Sequence, residues 1–154
     1  MAGHRVGVLD PIFEALTYLG SFGAVWLAIG LALAVASRRW QVLLWVAVAD
    51  GVAQLSTELI KLGVHRHRPR VHTLVSEPHS HSFPSGHAAS SLACAVVLGA
   101  FAPRLRAPLY ALAALIALSR VYVGVHYPLD IVAGSLLGAL VALAIHLVRS
   151  ARTG

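Results

Sequence analysis

Long apolar stretches separated by short polar breaks dominate this chain. Five of them are each 17 to 22 residues long, close to the ~20 residues a helix needs to cross a bilayer's hydrocarbon. They cover residues 20–37, 41–62, 85–101, 107–123 and 128–148. The pattern predicts an all-α integral membrane bundle with five transmembrane helices.

The segment before the first apolar stretch has a different character. Residues 6–19 include Asp10 and Glu14, so this segment is too short and too acidic to cross a membrane alone. Asp10 followed by Pro11 is a favourable helix start. We predict an N-terminal amphipathic helix at the membrane surface, or a short tilted sixth helix.

Composition supports a membrane protein with a single domain, residues 1–154. Apolar residue types make up 58% of the chain and charged types 12%, whereas a soluble domain carries about 25% charged residues. The net charge of +6 is not arranged as a basic face over a soluble core, which argues against a nucleic-acid partner. Cys94 is the single cysteine, so an intrachain disulfide is excluded.

The arginines between the apolar stretches predict the orientation. The positive-inside rule makes the side that carries most of them cytoplasmic. These residues are Arg38, Arg39, Arg104, Arg106, Arg149 and Arg152. The opposite side holds a polar loop, residues 63–84, and the segment 120–130. The loop is itself basic, which an anion-binding site would explain. We therefore expect a multi-pass protein of the plasma membrane with an extracytoplasmic site.

Three motifs lie on that opposite side. The first is Lys61, six residues, then Arg68 and Pro69; the second is Pro84-Ser85-Gly86-His87; the third is Ser119-Arg120, five residues, His126, three residues, Asp130. Together they match, in order, the three signature blocks of the type 2 phosphatidic acid phosphatase superfamily. The resemblance covers residues 61–130 and implies a membrane enzyme that removes a terminal phosphate from a lipid phosphate or diphosphate.

The cations of these motifs suit a phosphate. Phosphoryl transfer mainly requires positioning and neutralisation of the phosphoryl oxygens. Lys61, Arg68 and Arg120 come from three separate segments, and gathering them near a membrane without an acidic partner is unfavourable unless an anion sits among them. Each cation alone would be read as snorkelling to the interface, but their joint spacing favours a phosphate site.

The second motif opens an apolar helix. A helix N-terminus offers free N–H groups and a positive dipole end to phosphate. Gly86 permits close backbone approach, and the Ser85 hydroxyl can donate to the ligand or cap the helix. A simple Pro-Ser helix start would look the same. The resemblance implies that His87 is the general acid that protonates the leaving oxygen.

The third motif places His126 four residues before Asp130. This spacing lets a carboxylate hold one imidazole nitrogen while the other faces the substrate. The resemblance implies that His126 is the nucleophile that becomes phosphorylated, that Asp130 sets its tautomer, and that water then releases phosphate. It implies no cofactor and no metal ion.

Two further polar features have alternative readings. Asp50, Gln54 and Glu58 share one helical face, either buried against neighbouring helices or, at Glu58, orienting the cations. The loop histidines, His65, His67, His72, His79 and His81, could bind zinc or nickel, although Glu77 is the sole carboxylate in the loop. We favour a solvated, pH-sensitive rim.

Small and aromatic residues suggest packing. Gly134 and Gly138, four residues apart, predict a close helix contact. Trp26, Trp40 and Trp45 are expected at the interface or facing lipid.

The substrate is the least determined feature. We favour undecaprenyl diphosphate or another polyprenyl diphosphate, with phosphatidylglycerophosphate and phosphatidate as alternatives. A metal transporter using the loop histidines and the polar helix face, and a non-catalytic lipid-binding protein, are alternatives of other classes. The oligomeric state is left open.

Overall fold

The computed structural model describes residues 7–69, 71, 73–76 and 80–152, apart from the Phe22 side chain. This part of the chain forms α-helices and short 3-10 turns, without strands. The helices are α1 Asp10–Leu19, α2 Ala24–Ser37, α3 Gln41–Gly63, α4 Gly86–Phe101, α5 Arg106–Tyr122 and α6 Pro128–Ala151. The predicted all-α class is confirmed.

The predicted count of five membrane spans is not confirmed. Three of the described helical segments are long and apolar enough to cross: Gln41–Gly63, Pro103–Tyr122 and Pro128–Ala151. Helices α1 and α2 qualify together as a fourth span, bent by 62°, and α4 has only 16 residues. The stretch 20–37 is interrupted because Gly23 adopts φ 67°, a left-handed conformation that ends a helix and that glycine readily accepts.

Helix α1 is fixed to α5. The Phe13 ring stacks on Tyr122 with centroids 4.1 Å apart, and the Tyr122 hydroxyl donates to Asp10 at 2.8 Å. Thr17 and Ser119 share a hydrogen bond of 2.8 Å. The predicted segment 6–19 therefore contains a helix that packs beside the third motif, while residue 6 lies outside the described residues.

Helix α4 forms the centre of the bundle. It packs against α3, α5 and α6, and most of its buried residues are Ala, Ser or Gly. A Cβ atom at Gly134 would collide with the Ser85 carbonyl, and one at Gly138 with the Ala89 carbonyl. The close contact predicted for these glycines is confirmed: it joins α6 to α4.

The structure gives different outcomes for two predictions, one about Trp26 and one about Asp50. Trp26 does not face lipid, because it is fully buried and its Nε1 donates to Ser91 at 3.2 Å. Asp50 accepts a hydrogen bond from the Ser90 hydroxyl and lies against the backbone of Gly23. Asp50 is half-buried and packs against neighbouring segments of the bundle, as the first reading of the polar face predicts in part.

Candidate active site

One cavity of about 390 Å³ opens where α3 ends, α4 begins and α5 ends. Because antiparallel helices alternate in direction, these ends come to the same side of the bundle. Thr17, Tyr18, Ser21, Gln54, Glu58, Lys61, Arg68, Val75, Ser76, Ser80, Gly86, His87, Arg120 and His126 line it. All three motifs therefore contribute to one cavity.

Lys61 lies in the last turn of α3 and is 7% exposed. Its Nζ is 2.8 Å from Oε1 of Glu58 and 3.4 Å from Oγ of Ser80. The ammonium therefore has an acidic partner, contrary to the assumption that all three motif cations lack one. Glu58 orients a cation of the cavity, as the second reading of the polar face predicts.

Arg68 is held by backbone carbonyls from two loops. Its Nε donates to Ser80 O at 2.9 Å and Nη1 donates to Val125 O at 2.8 Å. The same Nη1 is 3.3 Å from Nε2 of His126. These contacts fix the planar guanidinium beside the imidazole.

Arg120 is the third motif cation that lines the cavity. It lies in the last turn of α5 and is 4% exposed, and its Nε has no hydrogen-bond partner among the described residues. The backbone N–H groups of Val125 and His126 both donate to Arg120 O at 3.2 Å. This tight turn brings His126 back over the end of α5. A buried guanidinium with an open donor is suited to an anion.

The second motif forms the start of α4. Ser85 is fully buried and its hydroxyl accepts from Ala88 N at 3.4 Å, so it acts as the helix cap and does not line the cavity. Gly86 does line it, and a Cβ there would lie 3.3 Å from Oε1 of Gln54. The helix start therefore approaches α3 closely.

His87 projects into the cavity from the first turn of α4. The backbone of Thr17 faces its imidazole, while Nε2 is buried without a partner among the described residues. A Cβ on Gly20 would come within 3.1 Å of the ring. The end of α1 therefore forms the wall behind His87, a contribution that no motif indicates.

His126 is held between Asp130 and Arg68. Its Nδ1 is 3.4 Å from Oδ2 of Asp130, so Nε2 faces Arg68 and the cavity. Burial, aided by the nearby charges of Arg68 and Arg120, lowers the pKa of His126 to about 4, against the opposing effect of Asp130. At neutral pH the ring is therefore neutral, and the Nδ1–H tautomer leaves a lone pair on Nε2.

Asp130 is fully buried behind the imidazole. Oδ2 also accepts from Tyr127 N at 2.9 Å, and Oδ1 accepts from Nη1 of Arg66 at 2.9 Å. The Arg66 guanidinium lies over the Tyr127 ring, 4.3 Å from its centroid. Arg66 is a site residue that the motif comparison missed. Its position two residues before Arg68, in a loop rich in basic residues, was the available signal.

The loop histidines do not gather around a ligand in the described part of the chain. His65 and His81 form an edge-to-face pair with centroids 4.7 Å apart, and neither lines the cavity. Among the described residues, no group of three or more His, Cys, Asp or Glu side chains could hold a metal ion. His72, Glu77 and His79 lie outside the described residues.

Known proteins resemble this chain in sequence and in fold. It is 40% identical over 141 residues to the decaprenylphosphoryl-5-phosphoribose phosphatase of Mycolicibacterium smegmatis, covering 84% of this chain and 73% of that protein. It is 31% identical over 135 residues to the undecaprenyl-diphosphatase of Sulfolobus acidocaldarius, covering 82% and 66%.

A solved structure has the same architecture. The transmembrane PAP2-type phosphatidylglycerolphosphate phosphatase of Bacillus subtilis superposes with a TM-score of 0.80 at 27% identity, over 97% of this chain and 80% of that one. The sequence profile of the PAP2 superfamily matches residues 40–153, a range that contains every motif residue. The chain therefore belongs to the PAP2 superfamily, a family of phosphatases that act on lipid phosphates.

Proposed function

We infer that the chain hydrolyses a terminal phosphate from a polyprenyl-linked lipid, with His126 as the nucleophile. The observation that carries this proposal is the convergence of a neutral imidazole with Lys61, Arg68 and Arg120 on one buried cavity. A nucleophilic lone pair beside three cations matches what phosphoryl transfer requires, which is a positioned nucleophile and neutralised oxygens.

In the first step, the lone pair on Nε2 of His126 forms a bond to phosphorus. The bond from phosphorus to the lipid oxygen breaks, and its electron pair leaves with that oxygen. Asp130 stabilises the positive charge that develops on the ring through Nδ1–H, as in other carboxylate–imidazole pairs. The three cations, together with the N–H groups at Gly86, hold the phosphoryl oxygens.

His87 supplies the proton for this step. The negative charge of the bound phosphate favours the imidazolium form of His87, and from this form Nε2–H protonates the departing oxygen. In the second step, water attacks phosphorus and transfers a proton to His87. The N–P bond breaks, its electrons return to Nε2 of His126, and phosphate leaves. The cations perform the charge neutralisation, so the scheme includes no metal ion.

Two curated relatives support the proposal of a polyprenyl lipid. The two curated relatives described above are named for polyprenyl substrates, one a phosphorylated pentose on decaprenyl phosphate and the other undecaprenyl diphosphate. Six hydroxyl or amide side chains also line this cavity, together with Glu58 and Val75, and such polar groups suit the hydroxyl groups of a sugar. The six are Thr17, Tyr18, Ser21, Gln54, Ser76 and Ser80. We therefore place a polyprenylphosphoryl pentose phosphate first.

Undecaprenyl diphosphate is the second candidate, as the sequence reasoning favours, and phosphatidylglycerophosphate and phosphatidate follow. We further propose that the protein is inserted in the plasma membrane with this cavity on the extracytoplasmic side. Six arginines at the opposite ends of the helices support that orientation.

The test is phosphate release by purified protein in detergent micelles, with a polyprenylphosphoryl pentose phosphate, undecaprenyl diphosphate, phosphatidylglycerophosphate and phosphatidate compared at equal mole fraction. Loss of release in His126→Ala, together with an acid-labile phosphoenzyme trapped in the wild type at alkaline pH, would support the mechanism. The ratio of kcat/KM values would rank the lipids. Equal activity of the wild type and His126→Ala would refute the assigned nucleophile.

A further inference from the structure

A second group of cavities, some polar and one apolar, lies at the other end of the bundle. Three cavities there have Arg149 in common. One, of about 270 Å³, is an apolar groove between α4 and α6 with Val96, Val97 and Leu143 among its walls. The other two, of about 310 and 620 Å³, are bordered by the start of α3 and the end of α6.

The two polar cavities are lined by basic residues, with no Asp or Glu among the described residues that line them. Their basic residues are Arg38, Arg39, His146, Arg149 and Arg152. The segments that form this end, residues 35–48, 97–110 and 142–152, contain no Asp or Glu. The positive-inside rule explains why arginines collect at one end, but it does not require them to surround a cleft.

Aromatic contacts hold two of these arginines in place. The Arg149 guanidinium lies 4.0 Å from the centroid of Phe101, and that of Arg152 lies 5.7 Å from the centroid of Trp45. A guanidinium stacked on an aromatic ring carries its N–H groups at its edge, the geometry in which arginine binds phosphate. The two guanidinium groups are therefore held against aromatic rings at the cleft, and Arg149 is half-buried whereas Arg104 is exposed.

We propose that this cleft binds one anionic phospholipid, with the headgroup phosphate among Arg38, Arg149 and Arg152 and an acyl chain in the groove between α4 and α6. Basic pockets between transmembrane helices are known to bind anionic headgroups in this way. Charge complementarity selects an anionic lipid over a zwitterionic one, and the adjoining apolar groove selects a lipid over a soluble anion. The site is separate from the motif cavity and needs no catalytic step.

The protein carries its own probe for this site. Trp40 and Trp45 line the two polar cavities, while Trp26 is fully buried. Full-length protein would be placed in phosphatidylcholine nanodiscs containing increasing mole fractions of phosphatidylglycerol brominated on its acyl chains. Tryptophan quenching that saturates at a few mole per cent is expected, whereas brominated phosphatidylcholine should give weak quenching without saturation.

Arg149→Gln/Arg152→Gln is the test variant, and Arg104→Gln/Arg106→Gln is the matched control with the same loss of charge at the same end. The mole fraction for half-saturation should rise about tenfold or more in the test variant and change little in the control. Arg149→Lys and the single Arg152→Gln variant, checked by circular dichroism, cover the case in which the double variant does not fold.

Four outcomes would overturn the proposal. Equal effects of the two double variants would indicate diffuse surface charge. Equal saturable quenching by both brominated lipids would remove the headgroup selectivity. Reversal of quenching by millimolar inorganic phosphate would indicate a site for a soluble anion. A dimer on native mass spectrometry, with no quenching by either lipid, would mean that a second copy covers this face.

Discussion

Arg66 and Asp130 form an ion pair behind the candidate nucleophile, with Nη1 of Arg66 2.9 Å from Oδ1 of Asp130. The other carboxylate oxygen, Oδ2, faces Nδ1 of His126 at 3.4 Å. One buried carboxylate is therefore shared between a cation and an imidazole. Because Arg66 neutralises part of the Asp130 charge, it limits how strongly that carboxylate favours the protonated ring.

Arg66→Ala should raise the pKa of His126 and lower kcat by ~10- to 100-fold, because Asp130 loses both its partner and its alignment. Besides Asp130, the groups acting on His126 are Arg68, from the loop before α4, and Arg120, from α5. His87 on α4 also interacts electrostatically with His126. The pH dependence of kcat/KM measures the shift as movement of the acid limb to higher pH.

Arg66→Lys is the matched variant, since it keeps a charge but loses the planar contact over Tyr127. In this variant the acid limb of kcat/KM should lie close to its wild-type pH, whereas kcat should recover only in part. If Arg66→Ala lowered kcat while the acid limb stayed in place, Arg66 would have a purely structural role.

The wild-type rate should show an acid limb near pH 4. The folded pKa of His126 is lowered to about 4 from 6.5, so the nucleophilic neutral form persists down to that pH and is lost only below it. Kinetics from pH 3.5 to 7 with a soluble phosphomonoester would measure the limb. A midpoint near 6.5 would show that burial does not control this histidine.

The same shift has a consequence for stability. The unfolded chain binds a proton at this histidine below pH 6.5, whereas the folded chain resists it until about pH 4. Stability from this group is therefore complete above pH 6.5 and declines as the pH falls from 6.5 to 4. Thermal unfolding of wild type and His126→Gln across that range should show a smaller decline in the variant. Parallel declines would assign the effect to other groups.

Asp130→Asn should lower kcat by up to ~10⁴-fold while leaving the fold intact, as a misplaced tautomer does in a carboxylate–histidine pair. The amide can donate towards Nδ1, which would place the ring proton on Nε2 and remove the lone pair from the cavity. Single-turnover phosphoenzyme formation measures this directly. A normal rate of phosphoenzyme formation with slow release would instead place Asp130 in the second step.

Gly138→Ala should destabilise the bundle by about 1–3 kcal/mol, because the new Cβ would collide with the Ala89 carbonyl. Gly51→Ala is the control, since a Cβ there meets nothing within 4 Å and should be neutral or stabilising by up to ~1 kcal/mol. Thermal unfolding in detergent measures both. Equal melting temperatures would mean that α4 and α6 separate readily at this contact.

Much of the local structure was predictable from the chain itself. Apolar runs of near-membrane length located α3, α5 and α6 closely, since such a run in lipid must satisfy its backbone polar groups within a helix. The three motifs, through their resemblance to a known family, predicted side chains such as Lys61, Arg68 and His126, and the structure brings these to one cavity. These features depend on residues near one another in sequence, where periodicity carries the information.

Contacts between distant segments were decided by the tertiary structure alone. The break at Gly23 depends on a left-handed glycine next to Asp50, and the burial of Trp26 depends on Ser91 from another helix. Arg66 acquires its role only because the loop before α4 folds over the start of α6 and brings it to Asp130. Such pairs leave no periodic trace in a single sequence, because the free energy that selects them arises when the helices pack together.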